Sequence, residues 1–213
     1  MKFFNVFVCG MSLMAAVACG SGAAEKKECA VGGKCEKSCE NAVVENIMSR
    51  RSVRKYKDTP VPREVLNTIL KCGIYAPNGQ NKQSWEVRVV DNEALQAEIK
   101  TAMAANGNER AAGCFYNAPV WVFIARDKGY DFSAYDCGLL AENIMLSAHS
   151  LGVGSVCLGS PVRFILDSPQ KEAVLSKLGF SEGYELSLCI SLGYPDEVPV
   201  AKPRDFGKVK FVE

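Results

Sequence analysis

Apolar side chains recur at helical spacing in AVVENIMSR (42–50), at Val43, Val44, Ile47 and Met48, which predicts a first helix. PREVLNTILKCGIYAP predicts a second, amphipathic one. Pro62 suits its first turn, Val65, Leu66, Ile69 and Leu70 form the stripe, and Pro77 ends it. WEVRVVD (85–91) alternates, with Trp85, Val87 and Val89 on one face, as a half-buried strand does. A polar helix follows from about Glu93 to Ala105, then a loop through NGNERAAG. APVWVFIAR (118–126) is an almost unbroken apolar run, the pattern of a central strand covered on both faces. DCGLLAENIMLSAHSLG (136–152) is apolar around most of its circumference and predicts the core helix. VGSVCLG is a short strand that leaves into a loop at Ser160-Pro161. Ser168 as N-cap and Pro169 at the first helical position open a further helix that Gly179 ends. YELSLCISLGYP reads as a second buried strand, and Val209–Val212 as a candidate edge strand. The alternation of strands and helices around one core, without repeats, predicts one domain over 42–213, an α+β or α/β sandwich.

The N-terminus follows a different pattern. After Lys2, FFNVFVCGMSLMAAVACG is apolar, ends in small residues and is short for a membrane span, the layout of a secretory signal over residues 1–18. Cleavage after Ala16-Val17-Ala18 places Cys19 first, resembling a lipoprotein lipobox with Ala16 at the usual Leu position. Export to a bacterial envelope or periplasm is expected, with lipid anchoring at Cys19 the alternative to simple secretion. Residues 19–41 are a polar linker containing Cys29, Cys35 and Cys39. Their spacing does not match paired zinc-ligand motifs, and outside the cytosol a disulfide between two of them is the simpler expectation. Cys72, Cys114, Cys137, Cys157 and Cys189 lie in apolar surroundings and are expected as buried free thiols.

With 48% hydrophobic and 23% charged residues the composition is globular, and a formal net charge of +1 gives no reason to expect a nucleic-acid partner. His149 is the single histidine and lies within the hydrophobic helix, which predicts a core residue rather than a base and excludes a multi-histidine zinc centre. Four polar segments remain. SRRSVRKY (49–56) gathers cations with two serines, suited to phosphate oxygens or merely to a solvated helix end. APNGQNKQSW (76–85) concentrates side-chain amides, suited to a heterocycle edge or to an ordinary capped loop. KPR (202–204) holds Lys202 and Arg204 in an extended segment, a second small basic cluster or plain surface charge. SVCLGSP (155–161) is a strand end where glycine permits close backbone approach, or a simple exit.

Taken in order, RRSVRKY, APNGQNKQSW, DCGLLAENIMLSAHSLGVGSVCLG and SLGYP…KPR resemble the FMN-dependent nitroreductase family over roughly residues 42–210. The resemblance implies an α+β sandwich with a central, mostly antiparallel sheet flanked by helices, built as an intertwined homodimer with FMN at the subunit interface. It implies that Arg50, Arg51, Ser52 and Arg54 hold the FMN phosphate and the pyrimidine side of the ring, with Lys202 and Arg204 as later phosphate contacts. It places Pro77, Asn78, Gly79 and Asn81 in a loop covering the partner's flavin, joined by Gln83, and Cys157, Leu158 and Gly159 beside the flavin N5 edge. Gly159 stands where many relatives carry an acidic residue, which leaves substrate preference open.

The implied activity is ping-pong hydride transfer from NAD(P)H to flavin N5, then to a small-molecule acceptor: a nitroaromatic, quinone or enone. No catalytic side chain and no metal are expected, since the cofactor supplies the chemistry. The alternative is a non-catalytic FMN-binding or storage lipoprotein of the envelope. Export and a cytosolic donor pull apart. Either an envelope partner supplies the reducing equivalents or the donor differs from the family's usual one.

Overall fold

The structure, a computed structural model, describes residues 41–213 except 106 and 108. The expected signal, Cys19 and the Cys29/Cys35/Cys39 segment lie outside the described residues. Four strands, β1 (Trp85–Val90), β2 (Val120–Asp127), β3 (Gly154–Leu158) and β4 (Tyr184–Gly193), form one sheet in the order β1-β2-β4-β3. Every adjacent pair is antiparallel. The α+β class is the one the residue pattern allowed and the resemblance implied.

The central strand β2 determines the layers, because its alternation is apolar on both sides. Trp121 and Phe123 point to one face, Val120, Val122 and Ile124 to the other. The first face packs against α3 (Glu93–Ala104), α4 (Glu109–Gly113), α6 (Ser160–Leu166) and α7 (Lys171–Leu178). There the Phe115 ring stacks on Trp121 at 3.6 Å, and the indole N–H donates to Ala118 O at 3.0 Å. The second face packs under α2 (Arg63–Ile74) and α5 (Ser133–Ser150), through Leu66, Ile69, Leu140 and Ile144. Helix α1 (Ala42–Ser49) lies on α5, with Asn46 donating to Leu146 O at 3.0 Å, and buries no residue of its own.

Several expectations need correction. Residues 160–166 are helical, because Pro161 sits where a helix needs no N–H donor rather than ending the chain's order there. Helix α7 begins at Lys171, not at Pro169: Ser168 Oγ takes the N–H of Gln170, which closes a turn ahead of the helix. Residues 109–113 form a short helix instead of loop. Residues 209–212 form no strand and pair with none of the four, and a 3-10 turn at Phe206–Lys208 precedes them. Helix α5 is covered on one face only and exposes Tyr135 and Leu139 on the other. Of the five cysteines, Cys137 and Cys189 are buried and Cys114 partly so, whereas Cys72 and Cys157 are exposed.

The segment after α1 positions the site. Val53 N donates to Ser155 O, Lys57 N to Tyr194 O and Asp196 N to Lys55 O, each at 2.9 Å. RRSVRKY is thus laced to the free edge of β3 and to the exit of β4. Glycine permits the approach: a Cβ on Gly154 would lie 2.9 Å from Val53 Cγ2, and one on Gly193 2.7 Å from Pro119 Cδ. Gly193→Ala is expected to destabilise the protein by about 1–3 kcal/mol through overpacking, read as a lower urea midpoint.

Candidate functional site

The lacing of 52–57 against 194–196 carries the chain beyond Pro195 back over RRSVR. Arg50, Arg51, Ser52, Arg54, Lys202 and Arg204, distant in sequence, line one cleft of about 150 Å³ with Pro199 and Val200. No carboxylate lines it. Among the described residues only Arg50 of these five cations is in an ion pair, with Glu142 at 3.8 Å. Arg51 and Arg54 instead donate to nearby backbone carbonyls. Unneutralised cations repel one another, so such a cleft favours an anion.

Arg50 and Arg51 also form a wall of a second cavity of about 400 Å³, with Ser49, Val53, His149, Gly154, Ser155, Glu197 and Val198. Two polar atoms on this wall lack partners. Ser155 is 1% exposed, and its Oγ, like Arg50 Nη1, is buried without a hydrogen bond among the described residues. Buried donors without partners cost about 1–3 kcal/mol each and mark a place where a ligand or ordered water completes the structure.

His149 is not the core residue expected from its helix. It is half-buried at the last turn of α5, with Nε2 2.9 Å from Ser49 Oγ. Burial, then Arg50 and Arg51, hold its pKa below the usual imidazole value. A histidine lowered in the fold leaves the unfolded chain to bind the proton first. Stability is therefore fully present above about pH 6.5 and is lost as pH falls through the lowered folded value. In ligand-free protein, His149→Gln is expected to flatten the decline of the urea midpoint between about pH 7.5 and about pH 5.5.

The β3 alternation turns Ser155 and Cys157 toward the face that carries α5, since they pair with Leu192 and Ile190 of that cluster. Although Cys157 keeps an exposed surface, the protein packed around its thiol desolvates it and, with the charge of Glu142, pushes its pKa up, so it stays protonated at neutral pH. Leu158 is buried on the opposite face, and a Cβ built on Gly159 meets nothing within 4 Å.

The amide loop lies elsewhere. Gly79 N donates to Asp136 Oδ1 at 2.9 Å and Ser84 Oγ to Asp136 Oδ2 at 2.7 Å, in the first turn of α5. Asn78 Oδ1 accepts from Gln83 N at 2.9 Å, so that oxygen closes the loop itself. Gln80, Asn81 and Gln83 hold φ of 55°, 54° and 49°, a left-handed conformation that costs energy for residues with a Cβ. Lys82 Nζ sits 4.2 Å over the Tyr130 ring, and a Cβ on Gly79 would meet the Tyr130 hydroxyl at 2.1 Å. Gly79→Ala is therefore expected to displace Tyr130 and lower stability by about 1–3 kcal/mol, measured in urea. Trp85 packs inward against the α2/α5 cluster.

The loop of Pro77, Asn78, Gly79, Asn81 and Gln83 is thus at the N-terminal end of α5, while Arg50 pairs with Glu142 in the middle of the helix and, with Arg51, lines the cavity that His149 borders at its C-terminal end. Asp136 and His149 are thirteen positions apart in one helix, about 20 Å along its axis. One chain brings the two basic segments together but not the amide loop with them.

Ser49 and Ser155 fell inside the polar segments SRRSVRKY and SVCLGSP without being assigned a role, His149 was read as a core residue, and Glu142, Asp136 and Tyr130 were not singled out by sequence. Strand alternation from Cys157 identifies Ser155; nothing local identifies the others.

The nitroreductase family model matches residues 47–194. An NADPH-flavin oxidoreductase of Vibrio harveyi is 30% identical over 181 residues, covering 77% of this chain and 70% of that protein. A Bacteroides fragilis nitroreductase crystallised with FMN superposes with a TM-score of 0.70 and 32% identity, covering 81% of this chain and all of that one. A Desulfitobacterium hafniense nitroreductase with bound FMN gives a TM-score of 0.74 and 30% identity, over 81% and 99%. Match length, shared fold and the ordered motifs lead to one conclusion: the chain belongs to the nitroreductase family.

Proposed function

We propose that this chain is an FMN-dependent oxidoreductase working as a homodimer in the bacterial envelope. The observation that carries the reading is the carboxylate-free cleft of Arg50, Arg51, Arg54, Lys202 and Arg204, closed by two segments far apart in sequence. The residues fit the cofactor. Cations suit a phosphate monoester, and the unpartnered Ser155 Oγ and Arg50 Nη1 provide donors beside it. Arg50, Arg51, Lys202 and Arg204 would hold the phosphate, and Ser52 and Arg54 the pyrimidine side. Cys157, Leu158 and Gly159 would present their backbone to the N5 edge.

The chemistry that FMN supplies is a two-stage hydride relay, from NAD(P)H to N5 and on to a nitroaromatic, quinone or enone acceptor. The chain's own part is orientation and charge. Arg54 places a cation beside the ring's pyrimidine side, which favours an electron-rich ring. Gly159, with open space around it, leaves room at the N5 edge where a side chain would otherwise stand.

The homodimer is supported by what α1, α2 and α5 leave uncovered. Val43, Val44, Ile47 and Met48 on α1, Ile74 and Tyr75 just before the amide loop, and Tyr135 and Leu139 on α5 are all exposed. Apolar surface of this extent marks an interaction face. A second copy covers it and brings its amide loop to the cleft that its own loop, about 20 Å away along α5, does not reach.

Absorbance and anaerobic reduction test the reading. The purified protein is expected to be yellow, absorbing near about 450 nm, to bleach with NADH or NADPH, and to regain colour with one acceptor class. A protein that stays colourless after FMN addition refutes it, and a yellow one bleached by neither nicotinamide nor dithionite-fed mediators favours FMN storage instead. The envelope location rests on the apolar run after Lys2. Fractionation and radiolabelled palmitate decide between secretion and a lipid anchor at Cys19.

A further inference from the structure

Arg50 and Arg51 line both cavities, so the basic cleft adjoins the wall that carries His149 across two shared guanidinium residues. We propose that His149, held by Ser49, is a positioning residue for the phosphate end of the FMN site, its imidazole taking up a proton from solvent as the phosphate monoester binds. The inference rests on the FMN reading and goes beyond it, assigning a proton-linked role to a residue to which the resemblance gave none.

The geometry that supports it is specific. Nε2 faces Ser49 Oγ at 2.9 Å, and a hydroxyl both donates and accepts, so this contact survives in either protonation state. The charged groups around this cavity are Arg50 and Arg51 from the turn after α1 and Glu197 from the segment after β4. On α5 itself Glu142, two turns earlier, pairs with Arg50. The Glu197 carboxylate is committed to the backbone N–H of Arg54. Without a ligand, two guanidiniums beside a part-buried imidazole disfavour its protonation. A helix C-terminus otherwise favours a cationic histidine. A phosphate dianion offsets the guanidinium charge, and the imidazolium then gains both the helix end and the anion. Ser155, buried with an unpartnered hydroxyl on the same wall, is a second sign that the wall is finished by a ligand.

The test uses the full-length protein freed of flavin. FMN and riboflavin, which lacks the phosphate, are titrated by flavin fluorescence between about pH 8 and about pH 6, with wild type and His149→Gln compared at each pH. The phosphate ester itself protonates near about pH 6, and comparison at equal pH removes that contribution. On acidification the wild-type FMN affinity is expected to rise relative to the variant, by up to about tenfold for each pH unit through which phosphate raises the imidazole. Riboflavin is expected to show no such divergence. Parallel FMN profiles overturn the inference and leave the FMN reading intact, whereas absence of FMN binding by wild type at every pH overturns the FMN reading itself. Calorimetry in two buffers of different ionisation enthalpy counts the protons directly. The cations favour the phosphate dianion and on their own release protons, so the count is compared with that of His149→Gln at the same pH: a larger net uptake, or smaller net release, by wild type supports the role of His149, and equal counts overturn it.

Discussion

Replacing Lys202 and Arg204 together with Ala is expected to raise the FMN dissociation constant about a hundredfold while leaving riboflavin affinity and the urea midpoint of the ligand-free protein unchanged. Both side chains are exposed and neither is in an ion pair among the described residues, so the fold loses little when they are removed. A hydrogen bond to a charged group contributes about 1.5–3 kcal/mol. Solvent screening at an open cleft keeps each near the lower figure. Two such contacts sum to about 3 kcal/mol, a factor of roughly one hundred. Fluorescence titration with FMN and riboflavin reads the difference directly. A change below about threefold for FMN would remove the KPR segment from the phosphate site.

Asp136→Asn is expected to damage a different end of the same site. The carboxylate is 3% exposed and takes the N–H of Gly79 and the hydroxyl of Ser84, itself 2% exposed. An amide keeps one acceptor oxygen but turns its NH2 toward the other donor, leaving at least one buried N–H or O–H unpaired at about 1–3 kcal/mol. The loop through Asn78 and Asn81 then loosens, and FMN binding weakens although no cation has changed. Mixing the two variants tells which subunit the loop serves. If each loop covers the partner's cleft, a mixed dimer of Asp136→Asn with Lys202→Ala/Arg204→Ala holds one site with both halves intact. Reconstituted mixtures are then expected to regain tight FMN binding in up to half of the mixed dimer's sites. A loop that serves its own subunit gives no recovery at all.

Much of the fold was legible along the chain. The unbroken run at 118–126 and the run at 184–195 place β2 and β4 at the sheet centre, because only strands covered on both faces tolerate apolar residues at every position. Residues 62–77 gave α2 within a few residues, through its stripe and its prolines. Helix α6 was missed because Ser-Pro signals a turn and a helix start equally well, and only packing of Val162, Phe164 and Ile165 into the core decides. The tail was read as a strand from local β-branched residues, but a strand needs an edge to pair with, and position along the chain does not supply one.

The site divides in the same way. Sequence by itself determined which residues are equipped to hold a phosphate and a heterocycle, since guanidiniums, amides and small hydroxyls carry that capacity wherever they stand. It also determined the family, through the order of four short motifs. Only the tertiary structure decided which of them meet. The cross-links of 52–57 to Ser155 and Tyr194 fold KPR back over RRSVR, while the amide loop is held at the other end of α5, by Asp136 in its first turn. Only the structure moved His149 from an expected core position to the wall beside Arg50 and Arg51. The physical reason is common to all of these: a side chain's chemistry is local, but its charge environment and its partners come from residues that only long-range packing brings within reach.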